Sequence, residues 1–70
     1  MKEIFFIIRQ EEDGGFVARA IGQSIFTEAD TMIELKSNIK EVLGCHFDNP
    51  LDMPQIAHLH FIKDEILDLV

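Results

Sequence analysis

A chain of 70 residues, 47% of them hydrophobic, with 13 acidic against 6 basic residues and a formal net charge of −7, excludes a good deal before any motif is read. It can hold one small domain, residues 1–70, but not a nucleotide-binding fold together with a substrate domain. Its charge argues against nucleic acid, whose phosphates are held by clustered Lys and Arg, and suits a basic protein partner reached by electrostatic steering.

Other bounds follow from size and cysteine content. A single core at this length supplies only about 3–5 kcal/mol, so small domains recruit disulfides, metals or self-association. The lone Cys45 rules out an intrachain disulfide and fits a reducing compartment. The apolar start of the chain is too short and too quickly charged for a leader or a membrane span, so a cytoplasmic protein is expected.

Ile4 to Ile8 is an unbroken apolar run rich in β-branched and aromatic residues and predicts an interior strand. Asp13-Gly14 then predicts a type I′ hairpin turn, because Gly accepts positive φ and Asp tolerates it. Phe16 to Ile21 reads as the returning strand, Gly22-Gln23-Ser24 as a second turn, and Ile25 to Glu28 as a short third strand.

The hydrophobic period then changes. Thr31-Met32-Ile33-Glu34 has the form of a capping box, and Asp30 beside it favours the positive end of a helix dipole. Met32, Leu35, Ile39, Val42 and Leu43 follow at helical spacing, Lys36 and Lys40 fall on the solvent side, and Gly44 is expected to stop the helix. Asp48-Asn49-Pro50 and Pro54 mark a loop. Ile56 to Ile62 returns to strand alternation, with Ala57, Leu59 and Phe61 on one face and His58 and His60 on the other. The tail from Lys63 to Val70 fits a helical turn or a strand equally well.

The predicted fold is α+β with element order βββαβ: an antiparallel three-strand meander, one helix and a fourth strand. In the first strand Phe5 and Ile7 point to one side while Ile4, Phe6 and Ile8 point to the other. One helix cannot cover both faces, so a homodimer or larger assembly is expected.

The segment Glu11-Glu12-Asp13-Gly14-Gly15-Phe16-Val17-Ala18 resembles the HicB-like antitoxin family, whose members carry an acid-rich hairpin of this form after a hydrophobic first strand. The resemblance extends through Phe26-Thr27-Glu28-Ala29-Asp30-Thr31 and Asn38-Ile39-Lys40-Glu41-Val42, covering about two-thirds of the chain. It implies a degenerate ribonuclease-H-like fold in a short, single-domain member lacking the family's C-terminal DNA-binding domain. It also implies a non-enzymatic role: neutralising a small basic HicA-type toxin that cleaves mRNA. Carboxylates offered to such a toxin compete with RNA phosphate for the same cations. Glu11, Glu12, Asp13, Glu28 and Asp30 are the candidate partner-binding residues.

Other chemistry is weaker. The same carboxylates read more simply as a solvated hairpin tip and a helix cap than as a two-metal nuclease centre. Cys45, His46, His58 and His60 have the donor types of a zinc site, but their spacing matches no closed motif. They carry the alternative reading, a small metal- or ligand-binding oligomer. Cys45 is otherwise expected to be a small buried hydrophobe, Met32 and Met53 packing residues, and Phe16 and Phe26 core aromatics. No cofactor is implied.

Overall fold

The computed structural model describes residues 2–63 and 67–69. Four strands, β1 (Glu3–Gln10), β2 (Phe16–Ala20), β3 (Phe26–Ala29) and β4 (Ile56–Ile62), form one sheet, and helix α1 (Met32–His46) lies between β3 and β4 in the chain. The spatial order is β3-β2-β1-β4. β1 to β3 form the antiparallel meander, and β4 joins β1 in parallel. The long connection through α1 makes that parallel return feasible, since parallel neighbours need a crossover and not a tight turn. The α+β architecture and the βββαβ order match the expectation.

Alternation along β1 divides the sheet into two unlike faces. Ile4, Phe6 and Ile8 are buried with Ala18, Ala20, Ile25, Leu35, Ile39 and Leu43, forming the core under the helix. Phe6 and Ile8 are fully enclosed, whereas Phe5 remains 47% exposed. The register carries the same division into β4: Ala57, Leu59 and Phe61 lie beside Ile4, Phe6 and Ile8, while His58 and His60 lie beside Phe5 and Ile7. The outer face thus mixes Phe5, Ile7, Val17 and Phe26 with Arg9, Arg19 and the two histidines. Phe26 belongs to this face and is exposed, which corrects its expected place in the core.

Two local expectations are also corrected. The first hairpin forms, but not through a type I′ turn, because Asp13 does not take a positive φ; among the described residues only Gly14 and Gly22 do. The Gly14 amide donates to the Glu11 carbonyl at 3.0 Å, and Gly14 then takes φ +93°. A turn followed by a left-handed glycine re-aims the chain into β2. Open space surrounds the position where a Gly14 Cβ would sit, so Gly14→Ala tests backbone strain alone. It should cost about 1–2 kcal/mol, read as a lower midpoint in urea unfolding with unchanged slope.

The helix likewise does not stop at Gly44. It continues to His46, and the Phe47 amide closes it on the Leu43 carbonyl at 3.0 Å, with Phe47 extended. Packing of Leu43 carries the last turn past the glycine, an ordinary tertiary override of a modest propensity penalty. At the other end Thr31 caps the helix as expected: its Oγ1 accepts from the Glu34 amide at 3.2 Å. Thr31→Ala should cost about 1 kcal/mol, measurable as a lower thermal midpoint.

The loop after α1 is built as its composition suggests. Asn49 Oδ1 accepts from the Leu51 amide at 3.0 Å, and the Asp52 amide returns to the Asn49 carbonyl at 2.9 Å. Lys2 Nζ pairs with Asp52 at 3.0 Å, tying this loop to the start of β1. Met32 and Met53 pack against the core as expected. The choice between helix and strand for the tail falls mainly on residues 64–66 and 70, outside the described residues. Leu67, Asp68 and Leu69 belong to no regular element.

Candidate functional site

Among the sequence-derived candidates, the acidic residues are the ones that the fold assembles. Glu11 and Asp13 come from the β1–β2 hairpin, and Glu28 and Asp30 from the end of β3 and the step into α1. All four line one groove of about 400 Å³, floored by Gly15, Phe16, Val17 and Ala29. They meet because β2 pairs with β3 so that Phe16 faces Ala29 and Val17 faces Glu28. The hairpin tip is thereby laid beside the β3–α1 junction.

Gly15 lies where the two segments meet. A Cβ there would lie 3.3 Å from Asp13 Oδ1 and 3.5 Å from the Ala29 carbonyl. Its amide donates to the same Asp13 oxygen at 3.0 Å, which shapes the tip. On the other wall Asn38 Nδ2 donates to the Glu28 carbonyl at 3.0 Å and fastens the helix to β3. The Asn-x-Lys-Glu helix segment therefore has a structural role at the groove as well as a place in the sequence pattern.

Two adjustments to the candidate set follow. Glu12 sits at the tip but does not line the groove, whereas Glu34 does. Glu34 was legible only as the fourth residue of the capping box; its place among the other carboxylates depends on how α1 docks on β3. The helix N-terminus beside Asp30 and Glu34 offsets part of the carboxylates' mutual repulsion. All five lining carboxylates, Glu11, Asp13, Glu28, Asp30 and Glu34, are exposed to solvent. The charges lining the groove are accordingly of one sign, and the groove is open to water.

A second depression, of about 510 Å³, lies at the opposite end of the sheet between Lys2, Phe5, Ile21 and Phe47. Its principal charges are already matched through the Lys2–Asp52 pair, so it offers a charged partner little.

The zinc-type donors are not brought together within one chain. Cys45 and His46 end the helix on one side of the sheet, while His58 and His60 stand on the outer face. Among the described residues no group of three or more His, Cys, Asp or Glu side chains is placed to hold a metal ion. His58 is engaged otherwise: it stacks on Phe5 with centroids 4.4 Å apart, and its Nε2 lies 3.3 Å from Glu3 Oε1. Cys45 is exposed, correcting its expected burial, because the helix runs on past Gly44 and turns the thiol outward. Among the described residues no helix is long and apolar enough to cross a membrane.

Comparison with known proteins finds two relatives. A UPF0150 protein of Thermotoga maritima is 44% identical over 63 residues, covering 90% of this chain and 87% of the relative. A UPF0150 protein of Archaeoglobus fulgidus is 44% identical over 45 residues, covering 64% of this chain and 67% of the relative. No protein-family model matches the chain, and no solved structure matches it.

Proposed function

The chain belongs to the UPF0150 family, and we propose that it acts there as a HicB-like antitoxin, a non-enzymatic protein that works by association. In this reading the groove between the hairpin tip and the start of α1 receives the cationic surface of a small basic, RNA-directed toxin. The observation that carries the reading is the meeting of Glu11, Asp13, Glu28 and Asp30 around one groove, joined by Glu34. Carboxylates from separate segments facing a common space present a concentrated negative field to a partner, which raises the encounter rate and selects against anionic competitors.

The ribonuclease-H-like relationship and the cytoplasmic setting belong to the same proposal, as does a self-associated state of the chain. The charge of −7 supports a basic protein as the partner and disfavours RNA itself. The sequence resemblance to HicB-like antitoxins rests on the hairpin and helix segments that build this groove.

The test is biochemical. Native purification should recover a short basic protein with the chain, and the isolated partner should cleave RNA until this chain is added back. Recovery of the homo-oligomer alone, or a partner whose RNA cleavage is indifferent to the chain, would overturn the reading.

A further inference from the structure

We propose that the free edge of β4 is a self-association site, where a second copy of this chain adds its own β4 antiparallel about a twofold axis at Leu59. This goes beyond the association reading above by naming a surface, and it is independent of any toxin. β4 is the last strand in the sheet order, and its outer side pairs with no strand among the described residues. Seven residues of edge main chain are thereby left to seek partners, a feature that proteins ordinarily cover or pair.

The sequence of β4 selects the register. Directly opposed residues of an antiparallel pair share a face, so two sheets with their helices on the same side can join only in registers centred on a residue. Centring on Leu59 pairs all of Ile56–Ile62, and moving the centre to His58 or His60 loses two pairs. In the favoured register Ala57 faces the second copy's Phe61, twice. Phe61 is 55% exposed in the single chain. Ala57 lines an apolar groove of about 370 Å³ between α1 and β4, together with Ile39, Leu43, Met53 and Leu59. A large half-exposed ring is thus set over a small residue that opens into a cavity. On the outer face the same register puts His58 opposite the second copy's His60.

The area needed points to the terminal segment as well. An edge about 23 Å long and 10 Å high presents roughly 230 Å² of projected face, well short of the about 800 Å² per partner of a standard interface. In this register the second copy's Lys63 comes opposite Gln55, which borders the groove. Leu67 and Leu69 are 79% and 86% exposed, so their own domain does not cover them. Lys36 and Lys40 also line the groove and rim its apolar floor. Seating Leu67 and Leu69 on that groove extends the interface beyond the strand edge.

Sedimentation equilibrium and disulfide trapping test the proposal. The wild-type chain should sediment as a dimer at micromolar concentration. Phe61→Asp should weaken dimerisation by more than about 30-fold, the loss of a hot-spot aromatic, while circular dichroism shows the fold retained. In a Cys45→Ser background, Leu59→Cys should form an interchain disulfide on mild oxidation, since position 59 faces itself across the axis. His58→Cys alone and His60→Cys alone should not. A monomeric wild type, a Phe61→Asp dimer of undiminished affinity, or preferential trapping at position 58 or 60 would overturn it. Because the acidic groove lies away from this edge, a Phe61→Asp monomer that still silences the basic partner would separate failure of this site from failure of the antitoxin reading.

Discussion

Phe6→Ala is expected to leave the domain largely unfolded at room temperature. Phe6 is fully enclosed at the centre of the core, between the β2 and β4 neighbours Ala20 and Leu59 and beneath α1. Removing a buried aromatic ring forfeits its transfer free energy and leaves a cavity, about 3–5 kcal/mol in all. That matches the about 3–5 kcal/mol that a single core supplies to a domain of this size, so no margin remains. The neighbouring Phe5→Ala provides the contrast. Phe5 is half-exposed on the outer face and its defined partner is the stacked His58 ring, so about 1 kcal/mol is expected. Urea titration of both variants checks the two-face assignment: similar losses for adjacent phenylalanines would contradict it.

Glu28→Lys with Asp30→Lys is expected to slow association with the proposed basic partner by about 10–1,000-fold, the range in which steering fields act. Both residues stand on the wall that the β2–β3 register brings against the hairpin tip. Reversing them turns part of an attractive field repulsive without touching the core, since both are exposed. The control is Glu12→Lys with Glu41→Lys, which changes net charge equally at exposed positions that do not line the groove. Stopped-flow association across a salt series distinguishes the two. The groove variant should lose both rate and salt dependence, whereas the control should stay within a few-fold of wild type. Equal losses in both variants would mean that only overall charge matters.

Much of this architecture was legible along the chain because its causes are local. The unbroken β-branched and aromatic run from Ile4 to Ile8 specifies a strand that is apolar on both sides, and the three- and four-residue steps from Met32 to Leu43 specify a helix with one buried side. Thr31 announces the helix start through its own oxygen, and Asp13-Gly14 announces a reversal. The local errors have a common origin in packing. Gly44 would end an isolated helix, but Leu43 beside it is buried and holds the final turn. Cys45 and Phe26 were assigned to the interior from residue type, and the orientation of the elements that carry them turned them outward.

The candidate surfaces depended on long-range pairing. That five carboxylates from the hairpin, β3 and α1 share a groove follows from the alignment of Phe16 with Ala29 and of Val17 with Glu28. That β4 returns beside β1 in parallel, leaving its far edge without a strand partner among the described residues and separating its histidines from Cys45 and His46, follows from the crossover through α1. The chain's composition and pattern by themselves determined a small acidic α+β domain whose first strand is apolar on both sides. Only the tertiary structure decided where the acid concentrates and which surfaces stay open, because hydrogen-bond register between distant segments is chosen by the packed whole and not by any one segment.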